Sequence, residues 1–103
     1  MSVTSRKQLL EAVEQCILGA RQDVYGNPED SFSIIADYWS TYLGRLIRPH
    51  QVADMMELLK IARRQGQEFH LDNYVDGAGY AILAGELGAE EKVRENGMPA
   101  NGA

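Results

Sequence analysis

The chain has 103 residues, 45% of them hydrophobic and 24% charged, with a formal net charge of −5. That is the size and composition of one small globular domain. It contains no apolar run long enough to span a membrane. The acidic balance argues against general binding to a nucleic-acid backbone, which needs a basic face. Its single cysteine, Cys16, excludes an internal disulfide and a cysteine-built zinc site.

The 3.6-residue period predicts a first helix over Ser5–Val24, with Leu9, Leu10, Val13, Cys16, Ile17, Ala20 and Val24 on one face. Thr4 or Ser5 can cap it, and Ser5 with Gln8 has capping-box spacing. Gly19 weakens its centre by roughly 1 kcal/mol relative to alanine, which points to a packing reason or a bend there. The stretch Tyr25-Gly26-Asn27-Pro28 breaks the chain. A second helix is expected over Phe32–Leu43, capped by Asp30 or Ser31. Its apolar stripe is Phe32, Ile35, Ala36, Trp39, Tyr42 and Leu43.

Gly44 stops that helix, and Pro49 reads as the first-turn proline of a third, over 49–65. Val52, Met55, Met56, Leu59 and Ala62 form its expected buried stripe. A short loop then leads into a fourth helix over Asp72–Leu87, so helices three and four are expected to form an antiparallel hairpin. Val75, Ala78, Gly79, Ile82 and Leu83 point inward in this reading. Its many small residues, Gly77 and Gly79 among them, suggest close approach to a neighbouring helix or a second subunit. The charged segment 89–95 reads as one or two further turns. The expected architecture is all-α: one domain over residues 1–95, a bundle of four main helices that self-associates, and a disordered tail over 96–103. The N-terminus lacks the order of a secretory signal, which with the lone cysteine fits a cytoplasmic protein.

The ionisable residues of the third and fourth helices are the candidate chemistry. Asp72 and Asp76 lie four apart, hence on one helix face, and repel unless a cation sits between them. Lys60 or Arg63 from the preceding helix can supply that charge. So can Mg²⁺, with Glu57 or Asp54 as a third oxygen ligand. Arg63 stands at the edge of the apolar stripe, where a guanidinium needs a carboxylate or a ligand phosphate. Arg21 and Tyr25 are one turn apart and read either as a tyrosine on an arginine stem or as a phosphate-and-base pair. Tyr80, like Tyr74 and Trp39, is core, subunit contact or base-stacking platform. His50 and His70 read as surface or capping residues. No nucleophile elbow, phosphate-binding glycine loop or dinucleotide turn is present.

The series Arg21-x-x-x-Tyr25-Gly26-x-Pro28, then Phe32 and Trp39, Met55-Met56-x-Leu58-Leu59-Lys60-x-Ala62-Arg63 and Asp72-Asn73-x-x-Asp76-x-Ala78-Gly79-Tyr80 resembles a family of small helical proteins encoded by phages and prophages. The resemblance covers about residues 10–87. That family has no established activity, so the resemblance implies a phage context rather than a reaction. A weaker resemblance is to the MazG-like all-α nucleoside triphosphate pyrophosphatases, whose E-x-x-E and E-x-x-D motifs bind Mg²⁺. Glu11 with Glu14, or Asp54 with Glu57, would match the first motif. Asp72 and Asp76 approximate the second, but with one residue too many between them.

The functional expectation is a phage-type accessory protein that binds nucleotides through Arg21, Tyr25, Lys60, Arg63 and Tyr80. It extends to a Mg²⁺-dependent pyrophosphohydrolase in which Glu57, Asp72 and Asp76 hold the metal; no catalytic residue is assigned. Two alternatives stand beside it. One binds a nucleotide signal without cleaving it. The other is a non-catalytic interaction protein, such as a phage inhibitor of a host defence, in which the Asp/Lys/Arg cluster is structural.

Overall fold

A computed structural model of the protein describes residues 5–19, 28–66 and 68–96. Four helices account for most of them: α1 (Arg6–Leu18), α2 (Pro28–Leu43), α3 (Pro49–Arg63) and α4 (Asp72–Asn96). There is no strand among the described residues. The closest association is between α3 and α4, the expected hairpin. The first helix packs mainly on α4, and α2 mainly on α3.

Local chemistry sets most of the helix ends. Ser5 caps α1 with a complete box: its Oγ accepts the Gln8 N–H at 3.1 Å, and Gln8 Oε1 accepts the Ser5 N–H at 3.1 Å. The first helix ends sooner than its period suggests. Gly19 is its C-cap, in extended conformation, and a Cβ there would stand 2.4 Å from the Gln15 carbonyl oxygen. Glycine therefore terminates α1 instead of weakening its middle. The expected continuation through Ala20 to Val24, with Thr4 as the alternative cap and residues 97–103 of the expected tail, lies outside the described residues. The second helix begins at Pro28, four residues before the expected start, with neither Asp30 nor Ser31 as its cap. Proline fits this first position because its missing N–H has no intrahelical partner to lose.

Gly44 ends α2 with φ +68°, the left-handed conformation that glycine adopts without steric cost. The chain then folds back along the helix. Ser40 Oγ accepts the Ile47 N–H at 2.8 Å and donates to the Ile47 carbonyl at 3.2 Å. Pro49 opens α3 as expected. The last helix begins at Asp72 and runs 25 residues to Asn96, well beyond Leu87.

Val52 and Leu87 are the largest fully buried side chains, and Ala53, Ala84 and Leu87 form the centre of the core with Phe32 packed against them. Full burial of a Val or Leu contributes about 1.5–3 kcal/mol. The core is narrow: among the described residues the buried apolar side chains are Val13, Ala36, Val52, Ala53, Ala84 and Leu87. Several residues expected inside are exposed, namely Leu10, Tyr42, Leu43, Leu59, Ala62, Ala78 and Ile82. Periodicity groups them correctly on apolar faces, but those faces are wider than the one or two helices that cover them.

The small residues of α4 do mark close approach. An added Cβ on Gly79 would meet Ile17 Cγ2 at 3.1 Å, and one on Gly77 would meet Arg64 Nη2 at 3.4 Å. Glycine at these two points lets α1 and the end of α3 lie against α4.

Candidate functional site

The antiparallel hairpin of α3 and α4 carries a polar cluster at each end. Where α3 ends and α4 begins, Lys60 Nζ lies 3.1 Å from Asp76 Oδ2. Both side chains are largely shielded, at 14% and 24% exposure. The first helix closes this cluster from the side: the Cys16 thiol donates to Asp76 Oδ1 at 3.7 Å. Asp76 thus draws three helices together through one carboxylate.

Arg64 extends the same end. Its guanidinium carbon stands 4.1 Å from the centroid of the Tyr74 ring, a cation–π contact. Phe69, from the loop, stacks on Tyr74 with centroids 5.5 Å apart. Arg64 Nε is buried with no hydrogen-bond partner. The half-buried arginine of this region is therefore Arg64 and not Arg63, which the apolar stripe suggests. Arg63 is exposed. The reason is the helix end: Arg63 is the last helical residue, and Arg64, as C-cap, turns toward α4 and lies over Gly77.

At the opposite end, Arg48 pairs with Glu95 and His50 with Glu91. Glu91 is nearly buried; its Oε2 accepts the His50 backbone N–H at 3.0 Å and its Oε1 is 2.6 Å from His50 Nδ1. Pro49 brings no donor to the first turn of α3, and Gln51 N–H bonds the Arg48 carbonyl at 2.9 Å. The carboxylate takes up the donor left between them, at the positive end of the helix dipole.

Sequence reading did not find this second cluster, although two signals for it were present. Ala84, Leu87 and Glu91 continue one helix face. After Gly88, no helix breaker occurs before Gly97.

The remaining candidates do not converge on one place. Tyr80 is half-buried with its ring 6.4 Å from that of Phe32. Asp72 is exposed at the first position of α4, and Glu57 is half-buried on α3. Glu11, Glu14 and Asp54 are exposed. Arg21 and Tyr25 lie outside the described residues. Among the described residues, no three of His, Cys, Asp or Glu gather where they could hold a metal ion. The charge beside Asp76 is the Lys60 ammonium. No described helix is long and apolar enough to cross a membrane.

Comparison with known proteins gives family rather than chemistry. A domain family of unknown function, DUF6378, matches residues 8–88. The Gene 55 protein of Mycobacterium phage D29 is 41% identical over 75 residues, which is 73% of this chain and 50% of that protein. The Gene 55 protein of Mycobacterium phage L5 is 42% identical over 87 residues, 84% of this chain and 56% of that protein. The chain thus spans about half the length of these curated relatives. No solved structure matches it. The helical phage family indicated by the motif series is the right one, and this chain belongs to the DUF6378 family.

Proposed function

We propose that this phage-family protein works by protein–protein contact and that its charged clusters are structural. One observation carries the reading: shielded Lys60 is paired with Asp76 and shielded Glu91 with His50, while large apolar side chains stand outside. Lys60 meets Asp76, His50 meets Glu91 and Arg48 meets Glu95, each pair joining two helices or a helix and its approach. Tyr38, Tyr42, Ile34, Phe69 and Val93 are each more than half exposed. Sites for small ligands tend to be the reverse, concave and apolar with a few convergent polar groups.

A second reading keeps the nucleotide. Its support is Arg64, whose buried Nε has no partner and whose guanidinium lies over the Tyr74 ring near Lys60. A phosphate oxygen is the acceptor such a group would take. In that reading Lys60 and Arg64 face phosphate, with Arg63, Tyr80, Arg21 and Tyr25 as further contacts. Mg²⁺ bound by Asp76, Asp72 and Glu57 would be needed for pyrophosphohydrolysis.

A thermal-shift screen of nucleoside mono-, di- and triphosphates, with and without Mg²⁺, separates the two. Protein contact as the function predicts a flat response and no pyrophosphate release. A Mg²⁺-dependent shift that Asp76→Ala abolishes, with the helical circular dichroism retained, would overturn it.

A further inference from the structure

We infer that Arg64 and Asn73, where α3 turns into α4, receive an acidic side chain of a protein partner. The inference rests on the protein-contact reading and names the partner's chemistry. Among the described residues Arg64 is the shielded cation left without a carboxylate. Arg48 and Lys60 have theirs, and the other arginines and lysines are exposed. Arg64 Nε is buried with no acceptor. Asn73 is 8% exposed, and its amide makes no hydrogen bond among the described residues.

Both residues adjoin Gly77. Arg64 Nη2 would stand 3.4 Å from a Cβ at that position and the Lys60 Cβ 3.7 Å, so glycine leaves room there for a methyl-sized group. Asn73 precedes Gly77 by one turn on the buried side of α4. Donors of a guanidinium and an amide thus border one small space. Buried polar groups are nearly always hydrogen-bonded, so two unpaired ones beside the same glycine call for an acceptor from outside. Tyr74 holds the guanidinium against its ring, and exposed Phe69 stacks on Tyr74 as an apolar wall. Arginine and tyrosine are the residue types that most often carry the energy of protein contacts.

Charge selects a carboxylate over a phosphate chain. Between residues 60 and 76 the cations Lys60, Arg63 and Arg64 are matched in number by Glu68, Asp72 and Asp76. Asp76 already neutralises Lys60. One shielded guanidinium is left for a ligand, enough for a single negative charge and too little for the several of a nucleoside triphosphate. Its planar fork pairs with a planar carboxylate by two parallel hydrogen bonds.

The probes are two blocked dipeptides, acetyl-Glu-Phe-amide and acetyl-Gln-Phe-amide, alike in shape and different in charge. Inorganic phosphate and ADP form separate arms. The full chain carries isotope-labelled arginine, and Arg64→Lys identifies the Arg64 Nε–H resonance by its loss. The acidic dipeptide should shift that resonance saturably, and the neutral one should bind roughly tenfold more weakly or worse. Gly77→Ala fills the space before Nη2 without a clash, so it should weaken the acidic dipeptide by a similar factor with unchanged helical circular dichroism. Equal binding of the two dipeptides overturns the proposal, and so does a silent resonance with both at tens of millimolar. A folded Gly77→Ala protein that binds as the parent does also overturns it; should that variant unfold, the two dipeptides on the parent decide. Phosphate or ADP acting at lower concentration than the acidic dipeptide overturns it as well. A silent resonance together with a flat nucleotide screen refutes this site alone and leaves protein contact standing. A nucleotide response that Gly77→Ala weakens refutes both.

Discussion

Glu91 ties the far part of α4 to the start of α3 through one residue, His50, bonding both its backbone N–H and its imidazole. The link spans 41 positions in sequence and secures a helix whose first residue, Pro49, cannot donate. Removing the carboxylate leaves a helix-start donor unpaired in a part-buried place. Glu91→Ala should therefore lose about 1–3 kcal/mol of stability, read from the midpoint of urea unfolding. Glu91→Gln can still accept the N–H and donate to Nδ1, so it should lose less. Glu86→Ala, at an exposed position of the same helix, should change stability by no more than about 0.5 kcal/mol. Equal losses at Glu86 and Glu91 would refute the capping role.

Two glycines of α4 should respond oppositely to the same methyl group. Gly85 has nothing within 4 Å of where a Cβ would sit, so Gly85→Ala should stabilise by about 0.5–1 kcal/mol through helix propensity alone. At Gly79 the methyl would stand 3.1 Å from Ile17 Cγ2. Moving α1 aside costs about 1–3 kcal/mol, enough to cancel or reverse the gain. Ile17→Ala should remove the clash, so Gly79→Ala should be less harmful in that background than in the parent. Additive effects of the two substitutions would mean that α1 does not press on Gly79.

The pairing of Lys60 with Asp76 can be weighed the same way. Asp76→Ala strands a shielded ammonium and should cost roughly 1–3 kcal/mol, less than a fully buried pair because both groups keep some solvent. Lys60→Met together with Asp76→Leu removes both charges and should recover most of that loss. A double-mutant cycle by urea unfolding gives the coupling. If the singly substituted proteins are as stable as the parent, the pair is not structural glue, and its residues are free to serve a ligand.

The outlines of this fold were legible because turn chemistry is local. Gly44, Pro49 and the Ser5–Gln8 box each act within a few residues, and each works as read. The misses have two physical origins. Amphipathic period tells which residues share a face but not whether anything covers it, so Tyr42, Leu59 and Ile82 read as core and stand exposed. Long-range pairs were legible only in part. Lys60 with Asp76 was open to inference because the hairpin brings adjacent helices together. His50 with Glu91 needed the full length of α4, and the charged segment after Gly88 hides it. The exchange of Arg63 for Arg64 is a one-residue shift at a helix end, where period ceases to govern direction.

Gly44 tests the remaining local rule. Its φ of +68° lies where a side chain is strained, yet a Cβ there would have nothing within 4 Å. The cost of Gly44→Ala is therefore purely backbone, about 1–2 kcal/mol. Gly44→Asn should cost less, since asparagine enters the left-handed region more readily. The turn it makes sets up the return of the chain along α2, where Ser40 holds Ile47 by two hydrogen bonds. Ser40→Ala should accordingly destabilise in the same direction, and a Gly44→Ala, Ser40→Ala double variant should lose less than the sum. Urea midpoints of the three proteins check this. Strict additivity would show that the left-handed turn and the Ser40 clasp hold the α2–α3 connection independently.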